Sequence, residues 1–207
     1  RHTFVLDGNE YQVSNQIRMK PGVYTRKRAN EELETSFNLS KGSNFRLSLD
    51  AKKGHPYMEY GTTTIPLYPV LRRLGVSHED IVKAWGRGTA EENQRSFIGK
   101  EDQALAKLYG KIIHPAQQVA GSTDDHVAAI HAKFALTSMD PEVNKVTLGH
   151  AHDKVTPQAI LDASHKLLSV YKSGDDVDDR DSLAFKTFHS VDDFIKELSD
   201  SIKEKGL

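Results

Sequence analysis

The apolar residues of this 207-residue chain change period once, at Pro66, and that change decides what each part can fold into. Ahead of it Phe45, Leu47 and Leu49 alternate with Arg46 and Ser48, the period of two that half-buries a strand. Pro56 and Gly61 bracket a further short strand around Tyr57 to Tyr60. Residues 3–6 and 10–17 flank Asp7-Gly8-Asn9, a turn-forming trio whose Gly supplies the positive φ of a tight hairpin. Behind Pro66 the spacing is helical. Val70, Leu71 and Leu74 share one face of a short helix stopped by Gly75, and Ser77-His78-Glu79-Asp80 has the form of a capping box. That box opens a second helix through Ile81, Val82 and Trp85, whose indole is expected to anchor it in the core. Leu105, Leu108 and Ile112 mark a helix ended by Pro115, and Val127, Ile130 and Phe134 mark one opened by Ser122 to Asp125. Thr156 and Pro157 fit the cap and first position of the next, whose apolar face runs through Ile160, Leu161, Leu167, Leu168 and Tyr171 and is interrupted by Ser164. A last helix starts near Ser190, with Asp193 as capping partner, and continues through Phe194, Ile195, Leu198 and Ile202. The predicted class is α+β, a strand-rich N-terminal part followed by a mainly helical one.

Charge narrows the functions open to such a chain. Lys and Arg (28) nearly balance Asp and Glu (29), leaving a net charge of -1, so any grip on phosphates must come from a local patch. With no cysteine there is neither disulfide framework nor thiol nucleophile, which suits a reducing cytoplasm. No apolar run approaches a membrane span, and RHTFVLDGNE lacks the basic-then-apolar order of a signal peptide. Arg1 in place of an initiator Met reads as a processed or excised chain, which need not carry a complete site.

Three stretches say more than periodicity does. They are FVLDGNEYQVSNQIRMKPGVY (Phe4 to Tyr24), GSNFRLSLD with IPLYPVLRRLGVSHEDI (within Gly42 to Ile81), and DDRDSLAFKTFHSVDDF (Asp178 to Phe194). In this order they resemble the second-largest (β) subunit of multisubunit DNA-dependent RNA polymerases, where it runs through the lobe and the adjoining edges of the protrusion. Gly8, Glu10, Gln16, Pro21, Gly22, Val23 and Tyr24 match the family's first block, while Asp7, Met19 and Lys20 replace its Asn, Arg and Ser. Gly42, Ser43, Asp50, Pro66, Leu71, Arg72, Leu74, Gly75, Ser77, Glu79 and Ile81 match the second. There Asn44 stands for the bacterial Trp, and Gly61 to Thr64 replace a basic run. Asp178, Asp179, Asp181, Leu183 and Lys186 match the third, and Phe185 and Thr187 replace its usual Asn and Arg. Residues 87–170 match no block of the family and form a shorter middle than the bacterial lobe, which suits a compact, divergent polymerase of the bacteriophage type.

The resemblance implies three segments: a protrusion-edge hairpin over 1–24, a lobe over 25–177, and a return to the protrusion with a C-terminal helix over 178–207. Ser173 to Asp181, polar and acidic, is the linker candidate. In the family the magnesium-binding aspartates of nucleotidyl transfer sit in the largest subunit. This chain is therefore expected to hold no cofactor and no catalytic group, and to be inactive alone although part of a nucleotidyltransferase. Its expected partners are the largest (β′-like) and other polymerase subunits, non-template and downstream DNA and a sigma-like factor, with no membrane. The expected compartment is the cytoplasm, that of the host if a phage encodes it. The family's pocket for the non-template strand carries over to Asp181, Lys186, Met19 and Asn44. Asp can accept from a base amino edge and Lys can pair with phosphate or guanine. Met19 cannot pair, so Arg18 or Lys20 is the replacement candidate, although neighbours on a strand point to opposite faces and only a bulge or turn would allow it. Asn44 gives no stacking platform. Gln16 matches a position near the family's inhibitor pocket beside the RNA path; the plain alternative is a strand residue paired within the hairpin.

Other readings compete. VLRRLGVSHEDIVKAW, residues 70–85, has the look of a helix-turn-helix, which would make the chain a DNA-binding regulator, but Glu79 and Asp80 sit where the recognition helix should approach DNA. The acidic run Asp175, Asp176, Asp178, Asp179 and Asp181 suggests a calcium loop or a metal-dependent phosphotransferase. It lacks the Gly and Glu of the loop, and no second carboxylate group is evident. His150 and His152 in GHAHD could be combined with His114, His126 and His131 into a zinc site on paper. His126 and His131 are five apart, off the spacing that aligns two ligands on a helix, and the metal reading is set aside.

Overall fold

A computed structural model of the chain describes residues 3–12, 14–28, 30–50, 52–118, 121–179 and 181–204. It is α+β, with strands concentrated before Pro66 and helices after it. The chain divides into two compact units, Arg1–Lys20 with Arg180–Leu207, and Pro21–Asp179.

The first unit opens on the expected hairpin, β1 (Thr3–Leu6) against β2 (Asn9–Gln12). Asp7 (φ 49°) and Gly8 (φ 80°) both take the left-handed conformation of a two-residue primed turn. The single strand expected over 10–17 is two strands. Ser14 and Asn15, both turn formers, separate β2 from β3 (Gln16–Met19). β3 pairs with a strand from the far end of the chain.

The second unit is built on an antiparallel meander of β4 (Gly22–Lys27), β5 (Leu33–Asn38), β6 (Phe45–Asp50), β7 (His55–Tyr60) and β8 (Thr63–Pro66). Residues 22–24, expected with the edge hairpin, thus begin the main sheet. Register places Leu47 opposite Met58 and Met58 opposite Ile65, an apolar row that the buried Thr35, opposite Leu47, continues into β5. Phe45 stacks between Phe37 and Tyr60, with centroids at 4.3 and 5.0 Å. β4 is an edge strand, and its outward amides are covered by side chains. Val23 N–H donates to Asn144 Oδ1 (2.9 Å), and Thr25 N–H donates to Asp178 Oδ2 (2.7 Å).

Seven helices follow, α1 (Leu67–Arg73), α2 (His78–Trp85), α3 (Arg87–Ser96), α4 (Glu101–Ile112), α5 (Thr123–Ala135), α6 (Pro141–Leu148) and α7 (Pro157–Ser173). Their caps are those the residues dictate. Ser77 Oγ accepts from Asp80 N, Ser122 and Asp125 form a complete capping box, and Thr156 Oγ1 accepts from Ala159 N. α7 packs across β4, β5 and β6, and also against α2. The polar interruption Ser164 lies at that second contact: its hydroxyl accepts from Trp85 Nε1 (2.7 Å) and donates to Leu161 O (2.7 Å), and Trp85 is 1% exposed. Tyr171, expected on the buried face of α7, is 44% exposed, and its neighbour Val170, 5% exposed, is the residue that faces inward in that turn. α6 lies on β4 so closely that a Cβ on Gly22 would meet Val143 Cγ1 at 2.5 Å, which gives the Pro21-Gly22 turn a steric reason.

The chain returns to the first unit through a 3₁₀ turn (Leu183–Phe185), β9 (Lys186–His189) and α8 (Val191–Glu204). Ser190 and Asp193 cap α8 as expected. Phe194 is half-buried, Ile195 and Ile202 are exposed, and the side chain of Leu198 lies outside the described ones. No helix among the described residues is long and apolar enough to cross a membrane.

Candidate nucleic-acid interface

Within the first unit, β3 and β9 pair antiparallel in the register Gln16 to His189, Ile17 to Phe188, Arg18 to Thr187 and Met19 to Lys186. The ladder extends by one bond, from Lys20 N to Phe185 O (2.8 Å). Two of the positions carried over from the family pocket, Met19 and Lys186, are therefore direct cross-strand partners on one face, although they come from opposite ends of the chain. Asp181 is exposed, just before the turn that leads into β9, where Ser182 Oγ accepts from Ala184 N. Phe185, in place of the family's Asn, is buried and leaves that position apolar.

Arg18 takes a different direction. It shares a pair with Thr187, so its side chain is on the face opposite to Met19 and Lys186. Its guanidinium sits over the Phe194 ring at 4.7 Å and donates to both Glu197 oxygens at 3.1 Å, tying β3 to α8. No bulge brings it to the other face. Gln16 is exposed, is paired with His189 rather than within the hairpin, and accepts from Arg18 Nε (3.4 Å).

The other carried-over residue belongs to the second unit. Asn44 Oδ1 accepts from Leu39 N (2.8 Å), closing the β5–β6 loop. Asp178 is also in that unit, and it is not solvated as the linker reading supposed. Its Oδ2 takes the Thr25 amide, its own N–H donates to Thr25 O (2.9 Å), and Lys166 Nζ lies 3.7 Å from its Oδ1. Burial raises its carboxyl above the ordinary value, against the opposing pull of Thr25 and Lys166. Asp175 is engaged by Ser169 (2.7 Å).

The helix-turn-helix reading fails on the same residues that suggested it. α2 turns Ile81 and Trp85 inward and leaves Glu79, Asp80 and Lys83 exposed, so its free face opens on two carboxylates that repel phosphate. Among the described residues the acidic run 175–181 gathers no set of three donors able to hold a metal ion; His150, His152 and Asp162 do. His114 caps the turn after α4, and His126 and His131 lie on α5, away from that group.

Periodicity also missed a polar network on the outer face of the sheet. Glu34, fully buried, pairs with Arg26 and Arg28, while Glu59 accepts from Arg46 (2.5 Å) and Ser48 (2.5 Å). Burial pushes the Glu34 carboxyl up, but Arg28 and Arg26 more than offset it and hold the group below its ordinary range. The alternation Arg26, Glu34, Ser48 across the register was a readable signal, but only once β4 and β5 were known to be strands.

The family described as RNA polymerase Rpb2, domain 2, matches residues 19–187, which include the middle segment 87–170 where no family-like block stands out in the sequence. The DNA-directed RNA polymerase subunit beta of Synechococcus sp. (strain RCC307) is 24% identical over 221 residues, covering 95% of this chain and 20% of that protein. The subunit of the same name from Prochlorococcus marinus (strain MIT 9301) is 27% identical over 144 residues, covering 65% of this chain and 13% of the relative. That of strain MIT 9312 is 29% identical over 122 residues, covering 54% and 11%. The chain thus spans at most a fifth of the length of these relatives, and they lend no support to a bacteriophage kinship.

Proposed function

Since the chain belongs to the RNA polymerase β-subunit family and corresponds to its lobe region, we propose that it lines the DNA channel of a polymerase and contacts the non-template strand without contributing a catalytic group. On this reading Pro21–Asp179 is the lobe, and Arg1–Lys20 with Arg180–Leu207 is the adjoining protrusion edge. The register that pairs Met19 with Lys186 is the observation that carries the proposal, because it joins the first and third family-like blocks in one ladder. Lys186 and Asp181 are the contacts, with Lys for phosphate or a guanine edge and Asp for a base amino group, whereas Lys20, next to Met19 on the continuing ladder, alternates to the other face. Arg18, committed to Glu197 and Phe194, supports the ladder from behind on the face it shares with Gln16, and Asn44 is a polar, non-stacking position of the lobe. The magnesium of nucleotidyl transfer is held by the largest subunit, which with the other subunits, DNA and a sigma-like factor completes the set of partners. The working compartment is the cytoplasm.

Replacing Asp181 and Lys186 together with Ala in reconstituted polymerase should leave assembly intact and weaken binding to the non-template strand. A lost phosphate contact lowers affinity for all sequences and reduces the salt slope by about one charge, whereas a lost base contact costs about 1–3 kcal/mol at one preferred base only. Titration onto promoters varied at each non-template position, at two salt concentrations, separates the two. Unchanged binding throughout would remove the proposal.

A further inference from the structure

The connection between α6 and α7 carries a donor set that the DNA-channel reading does not use. α6 ends at Gly149, left-handed at φ 81°, and the chain turns back through His150 and His152 to reach Thr156, the cap of α7. Asp162, one turn into α7, presents Oδ2 to both imidazoles, 3.0 Å from His150 Nδ1 and 2.8 Å from His152 Nε2. All three donor atoms lie within 4.8 Å of one another. Gln158 Nε2 donates to the other carboxylate oxygen, Oδ1, at 2.8 Å, which fixes the rotation of the Asp162 carboxylate and leaves Oδ2 to the histidines.

The backbone that carries the imidazoles is held on both sides. Asn144 Nδ2, from α6, donates to His152 O (2.5 Å), Met139 N donates to Asp153 O (2.7 Å), and Val155 N donates to Thr137 Oγ1 (2.8 Å). Asn144 is fully buried and also receives the β4 edge amide of Val23, so the loop position is tied to the main sheet. His152 and Asp162 are largely enclosed, whereas His150 is 70% exposed and leaves one side open to solvent.

We propose that His150 Nδ1, His152 Nε2 and Asp162 Oδ2 form a three-ligand site for a first-row divalent metal ion, with Zn²⁺ as the ion of choice and water in the open position. Two imidazoles and one carboxylate are donors that zinc accepts readily, and three protein ligands with one open position is a common zinc arrangement. Tetrahedral zinc with ligands at about 2.0–2.1 Å sets donors about 3.4 Å apart. The Asp162 Oδ2 distances to His150 Nδ1 (3.0 Å) and His152 Nε2 (2.8 Å) would open by about 0.4–0.6 Å, and the two nitrogens, within 4.8 Å of each other, would settle at a similar spacing, through small rotations of both imidazole rings. Gln158 acts as the positioning residue, holding the carboxylate as outer partners of metal ligands do. The ion would clamp the α6–α7 connection onto α7, at the foot of the helix that packs across β4, β5 and β6.

The test is calorimetric titration of the chelator-treated 207-residue chain with ZnCl₂, and with CoCl₂ followed by the visible absorption of four-coordinate Co²⁺. One ion per chain and a higher Tm with zinc are expected. His150→Ala, at an exposed position, should leave the Tm of the metal-free chain unchanged and weaken zinc by about tenfold or more, and Gln158→Ala should cost about tenfold through orientation alone. Asp162→Asn should abolish the Co²⁺ band. Lack of saturable binding at one ion per chain, or binding undiminished by both His150→Ala and Asp162→Asn, would overturn the site and leave a hydrogen-bonded cluster only.

Discussion

Asp178 shows how one carboxylate can serve the fold where the acidic run around it suggested chemistry. The sheet ends at β4, whose outward amides would otherwise meet solvent or another strand, and Asp178 accepts one of them while its own amide returns a bond to Thr25 O. Asp178→Ala should cost about 1–3 kcal/mol, since it strips the acceptor from a buried N–H, whereas Asp178→Asn keeps an acceptor and should change stability by less than about 1 kcal/mol. The pH response distinguishes the two substitutions from mere loss of a charge. Burial raises the folded carboxyl above its ordinary 3.8, so the folded state keeps the proton to higher pH than the unfolded chain does. The stabilisation that results is fully present below the unfolded value and is lost as pH rises through the folded one. Urea denaturation from about pH 3 to 7 should therefore show this loss in the parent and a flatter profile in Asp178→Asn. Equal profiles would mean that the carboxyl titrates alike in both states.

Packing of α1 and α2 makes the corresponding point for helices. Leu74 closes α1 at 4% exposure and joins Ile81 and Trp85 in the continuous core, so Leu74→Ala should cost about 2–5 kcal/mol, read as a lower denaturation midpoint with an unchanged slope. A silent substitution would show that the α1–α2 corner can collapse around the void. These helices were legible in the sequence because apolar residues alone line their buried faces, and the same holds for β6, α4, α5 and most of α7. β4 and β5 were not, since Thr25, Glu34 and Thr35 are buried there and break the alternation that marks a strand. α3 buries only Ala90 and Asn93, and α6 buries Asn144 and Thr147 beside Val143, so neither has an apolar stripe to read. The geometry around the proposed contacts was half legible. The family-like blocks named Met19, Lys186 and Asp181, but the commitment of Arg18 to α8 depends on a ladder between chain ends that no local pattern contains. Asp162 escaped notice for a related reason: it lies on the polar side of α7, and only the turn after Gly149 brings the histidines to it.

The chain accounts for at most a fifth of the length of its β-subunit relatives, and its chemistry fits a part that binds within a larger enzyme. Two-metal phosphoryl transfer needs carboxylates converging on ions about 3.5–4 Å apart. Here Asp178 is committed to the β4 edge and Asp175 to Ser169, and among the described residues no group of three donors gathers along the acidic run. The donor set that does converge, on Asp162, holds one carboxylate and two imidazoles, which suits one borderline ion better than a pair of magnesium ions. A net charge of -1 adds no long-range pull on a nucleic acid, so the proposed contact at Lys186 and Asp181 would depend on other parts of a polymerase to bring the strand there. The purified chain, given a primed template, nucleotides and Mg²⁺, should therefore incorporate nucleotide at background level, and Zn²⁺ should not change that. Template-dependent incorporation that disappears on joint replacement of Asp178 and Asp181 by Asn would place a catalytic centre in this chain and refute its assignment as a binding part. Incorporation that survives that replacement would point to a contaminating polymerase, which a second purification step would remove.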